Sequence, residues 1–207
     1  IESPHFTNNN ILMDYCNIIV SDLPLALTAR GIIKTFGKGE YRVMLESMLQ
    51  TLAITLWLML PAYVPNSTAA IFGGGLPVDF GRNSIDGKRI FGDGKTYRGL
   101  IAGTACGVIV GLVEHCSAKT AGMPDFGEYP YFLYVVFLLS FGALLGDMLK
   151  SFFKRRLGYE RGAKLEIFDQ LDLVFGAWAL TFIFARDWFL ANFNLWIIIT
   201  AIIITPV

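Results

Sequence analysis

The sequence predicts an all-α membrane protein that crosses the bilayer about five times, and two observations lead to this fold class. Hydrophobic residues make up 54% of the 207 residues and charged residues only 16%, whereas roughly a quarter of the residues in soluble domains are charged. The apolar residues also gather into runs, and a helix of about 20 residues crosses a hydrocarbon core of about 30 Å. We therefore expect a bundle of transmembrane helices whose polar residues lie in the connecting loops.

The predicted helices cover residues 45–64, 99–116, 129–153, 171–185 and 188–206, each of them apolar over the length of a helix. The second is short and contains Glu114, and the last two are separated only by Arg186 and Asp187. Because hydropathy does not define helix ends sharply, we expect these boundaries to shift by several residues.

Lysine and arginine are unevenly distributed between the loops, and this predicts the orientation. The first and third loops carry most of them: Arg82, Lys88, Arg89, Lys95 and Arg98 in the first, and Lys150, Lys154, Arg155, Arg156, Arg161 and Lys164 in the third. The second and fourth carry only Lys119 and Arg186. Basic loops stay preferentially on the cytoplasmic side, so we expect a multi-pass protein of the cell membrane with a cytoplasmic polar face.

Residues 1–43 form an extension of unknown role before the predicted transmembrane domain, residues 44–207. Segment 23–36 has the pattern of an interfacial helix, although its basic residues would then lie on the outer side, against the predicted orientation. We find no signal-peptide pattern. The net charge of zero predicts no nucleic-acid partner, and the three cysteines lack the spacing of a metal site.

Glycine recurs at every fourth position of the second predicted helix, at Gly99, Gly103, Gly107 and Gly111. Gly142 and Gly146 repeat this spacing in the third. Residues four apart lie on one helix face, and small residues there let the backbones of membrane helices approach closely. We interpret both sets as packing faces and not as ligand contacts.

Three carboxylates stand at the ends of neighbouring predicted helices. Asp147 lies near the end of the third, where an ionisable group among apolar residues predicts a functional site. Asp169 and Asp172, three residues apart, share one face at the start of the fourth. Structural alternatives are an ion pair of Asp147 with Lys150 and a helix-dipole role for the other two. Clustered acids without His or Cys favour Mg²⁺.

Residues 92–99, Gly-Asp-Gly-Lys-Thr-Tyr-Arg-Gly, directly precede the glycine-striped helix. They are not a P-loop, because Arg89 occupies the position of the required first glycine. We expect Lys95 and Arg98 to bind phosphate oxygens near a helix N-terminus. The alternative is an ordinary helix entry capped by Asp93 or Thr96.

Four segments together resemble the CTP-dependent lipid-phosphate cytidylyltransferases, and most closely the archaeal CDP-archaeol synthases. They are Leu-Pro-Ala-Tyr-Val-Pro-Asn at 60–66, the 92–99 segment, Gly-Asp at 146–147 with Ser-x-x-Lys-Arg at 151–155, and Phe-Asp-Gln-Leu-Asp at 168–172. The resemblance runs from about residue 44 to the end of the chain. The Lys-Asp and His-Gly-Gly elements of bacterial and eukaryotic CDP-diacylglycerol synthases are missing, which favours the archaeal branch.

The resemblance implies a Mg²⁺-dependent enzyme that joins CTP to a glycerol phosphate bearing two isoprenoid ether chains, giving CDP-archaeol and pyrophosphate. It implies that Asp147, Asp169 and Asp172 organise Mg²⁺ and are catalytic together with Lys154. The implied substrate contacts are Asn66, Asp93, Lys95, Thr96, Arg98, Ser151, Arg155 and Lys164. A CDP-diacylglycerol synthase acting on ester phosphatidate and, from another class, a membrane transporter remain alternatives. Assembly as a homodimer is left open.

Overall fold

The computed structural model describes residues 38–159 and 168–206, with side chains from 41 to 159 and from 171 to 206. The chain forms two units, Ile1–Ser47 and Met48–Val207. Everything described below lies in the second unit, apart from the first turns of the first helix. The predicted interfacial segment 23–36 lies outside the described residues.

All extended secondary structure in the described residues is helical, and only two isolated β-bridges occur there, which confirms the all-α prediction. Its helices are α1 (Lys38–Phe72), α2 (Tyr97–Ala121), α3 (Tyr131–Arg156), α4 (Phe168–Phe184), α5 (Arg186–Asn192) and α6 (Leu195–Ile204). Among the described residues, three helices, α1 to α3, are long and apolar enough to cross a membrane. At about 1.5 Å per residue, α4 is somewhat shorter than the hydrocarbon core.

The fifth predicted helix, residues 188–206, is not one straight span. Helices α5 and α6 replace it and meet at an angle of 83°. The break occurs because Asn194 caps a new helix, its side chain accepting a hydrogen bond from the Ile197 N–H at 3.0 Å. Counting the bent pair as one span gives up to four full-length spans in the described residues, so the predicted number of about five holds only approximately.

The glycine stripe of α2 packs against both neighbouring helices, as predicted. A Cβ added at Gly103 would lie 2.7 Å from the Pro65 carbonyl oxygen of α1. At Gly107 it would meet the Pro61 carbonyl oxygen at the same distance, and at Gly111 it would collide with Val136 of α3. Any larger side chain would therefore push the helices apart.

Helices α3 and α4 approach each other through glycines on both sides. A Cβ added at Gly142 would lie 2.8 Å from the Gly176 carbonyl oxygen, and one at Gly146 would collide with the Asp172 carbonyl. The packing role predicted for Gly142 and Gly146 is confirmed. This contact also holds the first turns of α4 against the last turns of α3, where the predicted acidic residues lie.

Candidate active site

The carboxylate of Asp147 projects from the C-terminal half of α3 and contacts two lysines. Lys95, in the loop before α2, forms an ion pair with its Oδ2. Lys150, one turn further along α3, places its Nζ 3.2 Å from Oδ1. The ion pair with Lys150 considered as a structural alternative is thus present, and a second cation from a distant part of the chain joins it.

Lys150 also contacts Asp172 of α4, its Nζ lying 2.8 Å from the Asp172 Oδ2. The ammonium group therefore bridges carboxylates of two adjacent helices. The close approach of Gly146 to the Asp172 backbone makes this possible, because it leaves no side chain between α3 and α4 at this level. The structure thus brings two of the three predicted acids together on one side of the helix pair.

The donor atoms at this position fit Mg²⁺, which proteins commonly bind through one or two carboxylates plus substrate phosphates. The side chain of Asp172 is only 8% exposed, and its Oδ1 has no hydrogen-bond partner in the described part of the chain. The third predicted ligand, Asp169, lies in the first turn of α4, but its side chain is outside the described atoms. No group of three potential metal ligands occurs among the described residues.

A polar cavity of about 120 Å³ opens beside Asp147, between the ends of α1, α2 and α3. Its polar lining comes from Asn66, Lys95, Thr96 and Asp147, and Val78, Leu144 and Met148 contribute apolar walls. Four residues predicted to act in the reaction therefore share one cavity. Its size suits a small polar group of a substrate.

An apolar groove of about 440 Å³ lies on the α4 side of α3. Its walls are mainly hydrophobic, and they include Leu149, Phe153, Leu157, Leu171 and Phe175. Among the described residues that line it, Lys150, Lys154 and Asp172 are charged. The ion-paired group of Asp147, Lys150 and Asp172 thus separates a polar cavity from an apolar groove, and the predicted catalytic Lys154 lies on the groove side.

The α1–α2 loop (residues 73–96) is organised by Asp79, which the sequence interpretation had not singled out. The buried carboxylate accepts hydrogen bonds from the backbone N–H groups of Gly81, Phe91 and Gly92 at 3.0 to 3.1 Å. It also pairs with Arg89 at 2.9 Å. An Asp two residues before a Gly is typical of an Asx turn, and that local signal could have identified it.

The hydrogen bonds to Asp79 determine its charge state. Burial alone would raise the pKa of this carboxyl group, but the bonds from Arg89 and from the Gly92, Phe91 and Gly81 N–H groups outweigh burial and hold the pKa below its ordinary value of 3.8. Asp79 is therefore ionised at neutral pH. Its bonds to Phe91 and Gly92 fix the backbone just before Lys95.

Arg156 joins the same loop to the end of α3. Its guanidinium pairs with Asp86 and donates a hydrogen bond of 2.7 Å to the Arg89 carbonyl oxygen. In return, Lys88 donates to the Arg156 carbonyl oxygen at 3.1 Å. These contacts hold the loop against the helix that carries Asp147, and so explain how Lys95 reaches it.

Several predicted substrate contacts are engaged within the protein. Thr96 caps α2, its hydroxyl accepting from the N–H groups of Gly99 and Gly74 at 3.1 and 3.2 Å. The 64% exposed Asp93 pairs with Arg89 at 2.7 Å. The Ser151 hydroxyl donates to the Asp147 carbonyl oxygen at 2.9 Å. For Thr96 and Ser151 these bonds supply a structural role beside the predicted one.

The remaining predicted contacts are the basic residues around the site. Arg155 donates to the Tyr159 carbonyl oxygen at 3.0 Å and lies beside Gly92, and the side chain of Arg98 is exposed. Lys164 lies outside the described residues. Roles for these side chains in substrate binding stay predictions.

The comparisons with known proteins agree with this architecture. The family model described as CarS-like, CDP-archaeol synthase, matches residues 48–207. The CDP-archaeol synthase of Methanosarcina barkeri is 54% identical over 155 residues, covering 72% of this chain and 89% of that protein. That of Archaeoglobus fulgidus is 44% identical over 161 residues, covering 77% and 89%.

A solved structure of an intramembrane enzyme for archaeal membrane lipid biosynthesis is also similar, with 37% sequence identity and a TM-score of 0.58. The match covers 72% of this chain and 85% of that one. Sequence and structure lead to one conclusion: this chain belongs to the CDP-archaeol synthase family and is an intramembrane enzyme of lipid biosynthesis.

Proposed function

We propose that this protein transfers CMP from CTP to a glycerol phosphate carrying two isoprenoid ether chains, with CDP-archaeol and pyrophosphate as products. One observation carries the proposal. Carboxylates of two adjacent helices, Asp147 and Asp172, converge on Lys150 between a polar cavity and an apolar groove. This arrangement suits a reaction between a water-soluble nucleotide and a lipid.

The two compartments suit the two substrates. The polar cavity takes part of CTP, with Lys95 beside its phosphates, and the hydrophobic groove takes the first part of the lipid chains. Lys154 and Lys150 then meet the lipid phosphate at the charged end of the groove. The basic α1–α2 loop and the end of α3 lie at the same end of the bundle, which we place on the cytoplasmic side, where CTP is available.

The reaction needs no general base from the protein. A phosphate monoester has its second pKa near 6, so the lipid phosphate is largely a dianion at neutral pH. Its oxygen attacks the α-phosphorus of CTP, a new P–O bond forms, and the bond to the β-phosphate oxygen breaks to release pyrophosphate. The protein aligns these atoms and neutralises the charge that develops on both sides.

Asp147, Asp172 and, by resemblance, Asp169 would hold Mg²⁺ at this position. When bound, this cation would supply positive charge to the phosphate oxygens. Lys95 and Lys154 neutralise charge from the cavity side and the groove side, respectively. The side chains of Asp147 and Asp172 are only 19% and 8% exposed, and this burial strengthens their interactions with cations.

Pyrophosphate release tests the proposal. Purified protein in detergent is incubated with CTP, Mg²⁺ and either an ether-linked isoprenoid glycerol phosphate or an ester phosphatidate. We expect release with the ether lipid, and no release with either lipid would overturn the proposal. Faster release with the ester lipid would instead favour a CDP-diacylglycerol synthase, since none of the described residues that line the groove distinguishes an ether from an ester.

A further inference from the structure

Lys150 occupies an unusual position, since its ammonium group lies between two carboxylates of different helices. Its Nζ is 3.2 Å from the Asp147 Oδ1 and 2.8 Å from the Asp172 Oδ2. The Asp172 side chain is only 8% exposed. Such a buried carboxylate needs a cation nearby, and Lys150 supplies it from the protein itself.

The described ion pairs of this group join Lys95 and Lys150 to Asp147, and Lys150 to Asp172. A divalent cation bound to the same carboxylates would face the Lys150 ammonium at close range, and like charges there repel strongly. Metal binding is therefore easiest if the ammonium moves away.

The groove offers Lys150 a place to move to. The residue already lines the groove, one helical turn from Lys154, and its side chain is 21% exposed. A lysine carries its charge on a flexible four-carbon stem. Most of the other described residues that line the groove are apolar, and an ammonium turned into it would meet a phosphate at the head of a lipid bound there.

We propose that Lys150 is a built-in counter-ion that exchanges partners during the reaction cycle. Before a divalent cation binds, it holds the Asp147 and Asp172 carboxylates together. Once the cation takes its place, its ammonium turns into the groove and binds the lipid phosphate. This inference rests on the proposed function and adds the residue that couples metal binding to lipid binding.

Manganese binding to the full-length protein tests the first half of the exchange. Mn²⁺ alone is titrated into detergent-purified wild type, Lys150→Gln, Lys150→Arg and Asp172→Asn, and free Mn²⁺ is followed by electron paramagnetic resonance. Removing the competing charge in Lys150→Gln should tighten Mn²⁺ binding by about tenfold. Lys150→Arg should stay near wild type, and Asp172→Asn should bind more weakly.

Unchanged or weaker Mn²⁺ binding by folded Lys150→Gln would overturn the proposal, because Lys150 would then only tie α3 to α4. A second measurement uses wild type alone, in case the variant does not fold. Reductive methylation of lysines is followed by mass spectrometry with and without Mn²⁺. Labelling of Lys150 should rise with Mn²⁺ and fall again on adding the lipid phosphate, while the exposed Lys119 at the other end of α2 should not change.

The exchange would also be refuted if labelling of Lys150 did not change on adding Mn²⁺, or did not change on then adding the lipid phosphate. Neither readout measures turnover. A wild-type protein that shows the exchange but makes no pyrophosphate would disprove the proposed reaction and leave the role of Lys150 intact. A protein that makes pyrophosphate without the exchange would refute the role proposed for Lys150 and leave the proposed reaction intact.

Discussion

The α1–α2 loop and the α3–α4 helix pair bring charged groups into the same site, but different interactions position them. In the loop, the single buried carboxylate of Asp79 binds three backbone N–H groups and Arg89, and this network orders the segment before Lys95. In the helix pair, Gly146 lets two backbones touch, and the contact sets Asp147 and Asp172 side by side. The loop thus depends on hydrogen bonding, and the helix pair depends on the absence of a side chain.

Substitution of Asp147, which pairs with Lys95 of the α1–α2 loop and with Lys150 of the helix pair, should have the largest effect on turnover. We expect Asp147→Asn to lower turnover by about 100-fold or more, because it loses the charge that pairs with both Lys95 and Lys150. Pyrophosphate release measures this. The control is Asp125→Asn, an exposed acid in the α2–α3 connection. If Asp147→Asn kept activity within a few fold of wild type, the group of Asp147, Lys95 and Lys150 would not be the reacting centre.

The helix pair is tested by Gly146→Ala. The added Cβ would collide with the Asp172 carbonyl, so the helices must separate, at a loss of about 1–3 kcal/mol of stability. We expect a melting temperature lower by several degrees and a loss of activity. Gly94→Ala serves as the stability control, since its Cβ would meet nothing within 4 Å. Equal melting temperatures for the two variants would contradict the packing argument.

The loop is tested by Asp79→Asn. Replacing a charged acceptor by a neutral amide should weaken the ordering of the loop by about 1.5–3 kcal/mol. Because the loop carries Lys95 and not the acids of the helix pair, the KM for CTP should rise more than kcat falls. Asp125→Asn is a matched control, since Asp125 also accepts from the N–H two residues on, that of Gly127, at 2.9 Å. A fall in kcat with an unchanged KM for CTP would contradict this prediction, because Asp79 would then act on the charged groups of the helix pair and not on CTP binding.

The pH dependence of the stability that Asp79 contributes to the loop should be the smallest of these effects. The folded pKa of Asp79 is held below the ordinary value of 3.8, so its stabilising contribution is present above 3.8 and is lost only as pH falls through the lower folded value. The difference in melting temperature between wild type and Asp79→Asn should therefore stay constant from about pH 8 to pH 5. A difference that shrinks within this range would show that Asp79 is not held as an ionised acceptor.

Much of the helical framework could be read from local sequence patterns. The helix predicted at 129–153 is observed as Tyr131–Arg156, and the glycines spaced by four in α2 and α3 face neighbouring helices as expected. The bend between α5 and α6 was missed, because Asn192 and Asn194 are isolated polar residues within a run that is apolar on average, and the capping role of Asn194 was not considered. The Asx turn of Asp79 with Gly81 is a local signal that was overlooked, whereas its bonds to Arg89, Phe91 and Gly92 join residues ten or more positions apart and could not be read from local spacing.

Composition and local spacing predicted which segments are apolar enough to cross a membrane, which helix faces pack closely, and which acids lie near helix ends. These properties depend on composition and on spacings of three or four residues, which a helix converts directly into faces. The pairing of Lys95 with Asp147 and the bridge from Lys150 to Asp172 become visible only in the packed fold. Those contacts join residues 52 and 22 positions apart, and no local spacing can specify them, because they form only when α2, α3 and α4 have packed.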